Sequence, residues 1–167
     1  QLIALTTFSD LVQEVRSRVR QDAIAAGIRD DGCTLEAGGS GATAYADSIA
    51  TYLAFVVDKE TESLSTLCTW SSSPKNELIV STFRRQALPM TWDFAEANCL
   101  ANSSGSLEKN IEAVAKVVEL PLSANASGFA LQADAQIQAV SAGKVVSTDP
   151  PYYDNIGYAD LSDFFYV

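Results

Sequence analysis

The chain has 167 residues, of which 47% are hydrophobic and 19% charged, and its formal net charge is −10. This length and apolar content allow a folded core, so the chain does not belong to the intrinsically disordered class. Its apolar runs fall well short of the ~20 residues that span a bilayer, and no secretory leader is recognisable, so we expect a soluble, cytoplasmic protein without membrane contacts. Three dispersed cysteines and the absence of histidine argue against a metal site, a disulfide framework and histidine-based catalysis.

The acidic charge is unfavourable for DNA binding, because a duplex is bound through lysine and arginine that neutralise its phosphates. The bases cluster at 16–20 and at Arg84-Arg85, and neither cluster predicts a DNA-binding face by itself. The chain starts at Gln1 and stops within an apolar stripe formed by Leu161, Phe164 and Phe165. We therefore expect a piece of a longer protein, in which other residues carry the main DNA-binding surface.

The first third of the chain is predicted to be helical. Thr7 and Asp10 indicate a helix start and Gly27 a stop, which predicts a helix from about Ser9 to about Ala26. The loop 38–41 contains three glycines and precedes a second predicted helix at 42–62. Such a loop can hold an anion at a helix N-terminus, but no Gly-Lys-Ser/Thr follows, so a flexible connection is favoured. The apolar face predicted to form the core of this helix comprises Tyr45, Ile49, Tyr52, Leu53 and Val56.

The middle of the chain has a mixed pattern. The serines and proline at 71–74 predict a loop, and the apolar run at 78–80 fits either a strand or a helix. Ser106 is a candidate N-cap for a helix that extends to about Leu120. Its predicted inward face comprises Ile111, Val114, Ala115 and Val118.

Two strands are predicted in the last third. Residues 129–135 form an apolar run that ends near Asp134, and Val145 and Val146 favour a second, buried strand. Asp134 lies 15 residues before Asp149, a spacing that suits parallel strands joined by a crossover. Both acids would then lie at one edge of a sheet, where open α/β sheets bind ligands. A plain turn or cap role for Asp134 is the equally open alternative.

The second predicted strand ends at Asp149-Pro150-Pro151-Tyr152, which resembles the catalytic motif of amino-methyltransferases. The exocyclic amine of adenine is a poor nucleophile, because its lone pair is delocalised into the ring. Acceptors such as the Asp149 carboxylate and the Pro150 carbonyl would draw that lone pair back onto nitrogen, and Pro151 would hold them ready. Tyr152 would stack on a base extruded from the duplex. The alternative is an ordinary Asp-Pro turn followed by a packed tyrosine.

Nearly the whole chain is similar to a segment of large bacterial DNA adenine-specific methyltransferases. The blocks that carry this resemblance are 85–98 and 148–165. The resemblance implies an α/β fold, with part of a Rossmann-like methyltransferase sheet in the C-terminal part and a mainly helical N-terminal part. It implies a helical segment at 1–64, a mixed connecting region at 65–122 and part of the catalytic domain at 123–167.

The same resemblance implies S-adenosylmethionine as the methyl donor and adenine in DNA as the acceptor. Asp149, Pro150, Pro151 and Tyr152 would be the catalytic residues, and Asp134 would contact the adenine of the donor. Helicases or nucleases of restriction and phage-defence systems would be plausible partners.

The chain departs from that family in one respect, since the glycine-rich loop that cradles the methionine part of the donor is missing. The loop at 38–41 does not follow a clear strand and lacks the family pattern. We therefore expect the segment alone to be inactive and to bind the donor weakly or not at all. The alternative function is a non-catalytic helical interaction module of a larger defence or DNA-processing protein.

Overall fold

The computed structural model contains four helices and one hairpin in the residues it describes, which are 2–84, 87–88, 90–103, 105–120, 130–150, 153 and 155–166. In chain order the elements are α1 (Leu2–Ala25), α2 (Ala42–Thr61), β1 (Thr69–Ser73), β2 (Asn76–Val80), α3 (Leu107–Val118) and α4 (Tyr158–Tyr166). The chain divides into an N-terminal unit, Gln1–Glu119, and a C-terminal unit, Leu120–Val167. No helix within these residues combines the length and the apolar character needed to cross a bilayer.

Helix α1 starts earlier than predicted. The hydroxyls of Thr6 and Thr7 donate to the carbonyls of Leu2 and Ile3, so both threonines lie inside the first turns and neither caps the helix. The predicted stop is confirmed. Gly27 has a φ of 94°, and the next N–H, from Ile28, donates to the Ala23 carbonyl at 3.0 Å. This left-handed turn is accessible to glycine at little cost.

Helices α1 and α2 run antiparallel, because Arg16 bonds to Asp47 whereas Arg20, further along α1, bonds to Thr43. Small side chains fill the space between the elements of this unit, and the buried alanines are Ala23, Ala42, Ala44, Ala46 and Ala50. The prediction that the apolar face of α2 forms the core is therefore wrong in part. Val56 is buried, but Tyr45 is 49% exposed and Tyr52 packs edge-on against the exposed Phe55.

The hairpin β1–β2 resolves the two readings of 78–80 in favour of a strand. Thr69 pairs with Val80 and Ser73 with Asn76 in antiparallel register. The predicted loop at 71–74 is wrong for its serines, because Ser71 to Ser73 belong to β1. A serine-rich run forms a strand here because an apolar partner strand pairs with its backbone.

Helix α3 begins where its cap predicts. The Ser106 side chain accepts a hydrogen bond from the Lys109 N–H at 3.4 Å, which satisfies one free amide of the first turn. Its predicted inward face is mostly exposed, since Ile111 and Val118 lie on the surface. The buried residue of this helix is Asn110.

The predicted α/β fold with a partial Rossmann-like sheet is wrong. The described residues are mainly helical, and their one sheet has two antiparallel strands, both in the N-terminal unit. Val145 is fully exposed and Val146 is 60% exposed, and both lie in an irregular segment. Branched side chains favour a pleated backbone only where a neighbouring strand and a buried face are present, and this segment has neither among the described residues.

Candidate functional site

The segment that carries the predicted catalytic motif lies in the C-terminal unit and is exposed where it is described. Asp149 and Pro150 are solvent-accessible residues of an irregular stretch, and Pro151 and Tyr152 lie outside the described residues. Among the described residues, none donates a hydrogen bond to the Asp149 carboxylate. That carboxylate can therefore accept hydrogen bonds from a ligand without first losing a partner.

The residue that directly follows this motif has an unusual backbone conformation. Tyr153 has a φ of 52°, which is left-handed for a residue with a side chain, and it is fully exposed. Such a conformation costs on the order of 1–3 kcal/mol. Helix α4 follows at Tyr158, whose N–H donates to the Ile156 carbonyl at 2.9 Å. The motif thus precedes a left-handed residue and a helix.

Asp134, the predicted contact to the donor's adenine, opens a turn. Its Oδ1 accepts a hydrogen bond from the Gln136 N–H at 2.8 Å, and its carbonyl accepts from the N–H groups of Ile137 and Gln138. These contacts are those of the alternative role, in which an aspartate organises its own turn. The sheet edge that was predicted to bring Asp134 and Asp149 together is not formed by the described residues.

The glycine loop before α2 is held tightly against the chain that precedes it. A Cβ at Gly39 would lie 2.3 Å from the Cys33 carbonyl oxygen, and one at Gly41 would lie 2.8 Å from the Arg29 carbonyl oxygen. These glycines therefore permit a close approach of two backbone segments. The loop is packed against residues 29–33, and it is not the flexible connection that was predicted.

The N-terminus of α2 is already capped by the segment that precedes this loop. Asp30 Oδ1 accepts from the Thr43 N–H at 3.0 Å, and the Ala42 N–H donates to the Arg29 carbonyl. Hydrogen bonds from the Thr43 side chain and N–H, followed by that from Arg20, hold the pKa of Asp30 well below its ordinary value of 3.8. An external anion would have to compete with this carboxylate.

The arginine cluster of α1 is engaged within the N-terminal unit. Arg16 pairs with Asp47 at 2.6 Å and Arg20 with Asp30 at 2.6 Å, while Arg18 lies 4.0 Å from Asp22. The Leu35 N–H and Arg16 together lower the pKa of Asp47. These arginines are thus not a free basic patch for DNA phosphates.

Sequence reasoning missed a buried carboxyl group at the end of α2. Glu60 is completely buried, its Oε1 accepts the Asn110 amide at 2.7 Å, and its Oε2 has no hydrogen-bond partner among the described residues. Burial raises the pKa of Glu60, and the bond from Asn110 opposes that rise. The signal was present in the sequence, because Glu60 follows the buried Val56 by one helical turn.

Beside Glu60 lies a second buried polar group, formed by Ser65, Cys68 and Thr82. The hydroxyls of Ser65 and Thr82 are 2.6 Å apart, and the Cys68 thiol and the Thr82 hydroxyl both donate to the Glu62 carbonyl at 3.1 Å. These bonds tie the C-terminal end of α2 to the chain that follows β2. Their satisfied geometry is that of a structural network.

Comparison with known proteins adds no assignment. No family model matches the chain, no curated protein sequence is significantly similar to it, and no solved structure is significantly similar either.

Proposed function

We propose that this chain is the part of an S-adenosylmethionine-dependent DNA adenine methyltransferase that carries the Asp-Pro-Pro-Tyr motif. The observation that carries the proposal is the sequence Asp149-Pro150-Pro151-Tyr152 within the longer block 148–165. The exposure of Asp149 and Pro150 supports it, because a nucleobase can reach acceptors only where they are accessible.

In this proposal the motif activates the acceptor amine. The Asp149 carboxylate and the Pro150 carbonyl each accept one N–H of the exocyclic amine of adenine, which concentrates the lone pair on nitrogen. Both acceptors are held on a chain that proline makes rigid, so little reorganisation is needed when the base arrives. Tyr152 provides the ring against which the extruded adenine stacks.

S-adenosylmethionine would supply the methyl group, but the described residues do not fit it. The one cluster of glycines, at 38–41, is packed against residues 29–33, and Asp30 and the Arg29 carbonyl already cap the helix that follows it. Asp134 uses one carboxylate oxygen to close a turn. Methyl transfer is therefore proposed for a protein in which this segment accompanies the glycine-rich loop of the family.

DNA is proposed to bind mainly through other parts of such a protein. The net charge of −10 and the internal pairing of Arg16 and Arg20 support this division of roles. A cytoplasmic location and a role beside helicases or nucleases of a phage-defence system are part of the same proposal.

The test is a methyl-transfer assay with labelled S-adenosylmethionine and DNA, in a protein that contains both this segment and the glycine-rich loop. Asp149→Ala should lower the rate at least ~10²-fold, the loss typical of one preorganised polar group. Asp163→Ala is the matched control, because Asp163 is an exposed acid of the same block on α4 and should leave the rate unchanged. Undiminished methylation by the Asp149 variant would refute the assignment.

A second candidate, the helical interaction module, is favoured by the absence of a methyltransferase sheet from the described residues. Helix α1 exposes apolar side chains that include Ile3 and Leu11. Under this candidate, Leu11→Ser would weaken association with a larger protein while Asp149→Ala had no effect on any activity. The opposite pattern would favour the enzyme.

A further inference from the structure

A cavity of about 430 Å³ lies beside the hairpin. Two of its lining residues, Met90 and Thr91, belong to the sequence block 85–98, which has no part in the proposed catalytic role. Its polar wall includes Thr69 at the start of β1, Ser81 directly after β2, and Arg84. Its apolar wall includes Leu67, Val80 and Met90. A volume of this size is within the ~300–1,000 Å³ range of sites for small molecules.

Arg84 differs from the arginines of α1. Each of those three lies within 4.0 Å of a carboxylate, whereas Arg84 has no hydrogen bond or ion pair among the described residues. The chain contains 21 acidic residues against 11 basic ones, so potential partners are abundant. A guanidinium kept free of them beside a cavity is available to an anionic ligand, and its planar fork matches a phosphate or a carboxylate.

The hydroxyl groups of the cavity favour a phosphate. Thr69 and Ser81 have no hydrogen-bond partner among the described side chains and can both donate to phosphate oxygens. The neighbouring Thr82 is different, because its hydroxyl is already bonded to Ser65 at 2.6 Å and to the Glu62 carbonyl at 3.1 Å. One guanidinium and two free hydroxyls thus offer donors for several oxygens of one tetrahedral anion.

The cavity is larger than a phosphate alone needs, and the rest of its wall combines apolar side chains with Thr82 and Thr91. Val80 is a branched strand residue and Met90 a flexible thioether, side chains that suit the face of a planar ring. We infer that this cavity binds a nucleotide, with the phosphate against Arg84, Thr69 and Ser81 and the base against Val80 and Met90. The nucleotide can be free or can belong to a DNA strand, and the inference does not depend on methyl transfer.

Tryptophan fluorescence of the intact 167-residue chain provides the assay. The chain has two tryptophans; Trp92 follows the cavity residue Thr91 and is 92% exposed, so a ligand in the cavity should alter its emission. The probes are deoxyadenosine monophosphate, deoxyadenosine, inorganic phosphate and a short single-stranded oligonucleotide. The monophosphate should give a saturable change, and deoxyadenosine should bind at least tenfold more weakly.

Two variants distinguish binding in this cavity from nonspecific electrostatic attraction between the phosphate and basic side chains. Arg84→Gln should weaken binding of the monophosphate at least tenfold. Lys75→Gln is the matched control, because Lys75 lies in the hairpin turn of the same unit and does not line the cavity, and it should change affinity less than twofold. Far-UV circular dichroism would show that both variants keep the fold.

The results of these measurements show whether the cavity binds a nucleotide and whether that nucleotide is free or part of a DNA strand. An oligonucleotide that binds more tightly than the monophosphate would identify a DNA strand as the ligand, and equal or weaker binding would identify a free nucleotide. No saturable change at millimolar concentration would overturn the inference. Equal weakening by Arg84→Gln and Lys75→Gln, or equal binding of deoxyadenosine and its phosphate, would overturn it too.

Discussion

The contact between Asn110 and Glu60 provides a sharp test of how the N-terminal unit is held together. Asn110 is the buried residue of α3, and its amide donates to Glu60 Oε1 at 2.7 Å at the end of α2. Because Glu60 Oε2 has no partner among the described residues, Asn110→Ala would leave the whole carboxyl group buried without a side-chain donor. We therefore expect this variant to lose stability.

The size of the loss should depend on pH. At pH 4, below the ordinary pKa of 4.5 for glutamate, the carboxyl is protonated and a neutral hydrogen bond worth about 0.5–1.5 kcal/mol is lost. When Glu60 is ionised, the lost bond is to a charged group and is worth about 1.5–3 kcal/mol. The loss should therefore grow as the pH rises through the folded-state pKa of Glu60.

The unmodified chain has a related pH dependence. Burial raises the pKa of Glu60, so above 4.5 the folded chain binds one proton that the unfolded chain has released. Stability contributed by this group is present below 4.5 and falls as the pH rises towards the folded-state pKa. The slope cannot exceed about 1.4 kcal/mol per pH unit for one proton.

Urea unfolding, followed by far-UV circular dichroism between pH 4 and pH 8, measures these free energies. Glu60→Gln removes the charge, so Asn110→Ala should have a pH-independent effect in that background. Glu112→Ala is the matched control on α3, because Glu112 forms an exposed ion pair with Lys109 and should cost less than about 0.5 kcal/mol. A loss for Asn110→Ala that is the same at every pH in both backgrounds would refute the reasoning.

Two further predictions concern the loop before α2. Gly39→Ala should destabilise the chain by more than about 1 kcal/mol, since its Cβ would meet the Cys33 carbonyl oxygen at 2.3 Å. Gly38→Ala meets no atom and should cost only the ~1 kcal/mol of its left-handed φ. Urea unfolding that ranks the two variants in reverse would contradict this clash. Asp30 has a lowered pKa, so its stabilising contribution is present above 3.8 and is lost as the pH falls towards the folded-state pKa. Asp30→Asn should therefore flatten the acid limb of the stability profile, and an unchanged limb would show that Asp30 is not the group responsible.

Features that depend on neighbouring residues in the chain were predicted well. The stop at Gly27 and the cap at Ser106 both occur as expected. Each is closed by hydrogen bonds that span only three to five residues. Local chemistry is sufficient to determine such elements.

Some of the candidate functional residues could likewise be predicted from the sequence, and others could not. The Asp149 motif was recognised from its residue types alone, and its chemistry remains a prediction. The cavity beside Arg84 was not foreseen, because its walls come from both strands of the hairpin and from the segment near Met90. The two readings of Asp134 were equally open in sequence, and the structure shows the contacts of the turn.

The amino-acid sequence by itself determined three helical segments, the stop at Gly27 and the cap at Ser106, because these follow from periodicity and short-range hydrogen bonds. Only the tertiary structure decided which apolar runs become strands and which side chains are buried. Val145 and Val146 have strand-forming side chains but no partner strand among the described residues, whereas Ser71 to Ser73 are paired by β2. Likewise, the buried Glu60 accepts its side-chain hydrogen bond from Asn110, which lies 50 residues further along the chain. Strand pairing and burial depend on distant segments, and a local pattern cannot specify those segments.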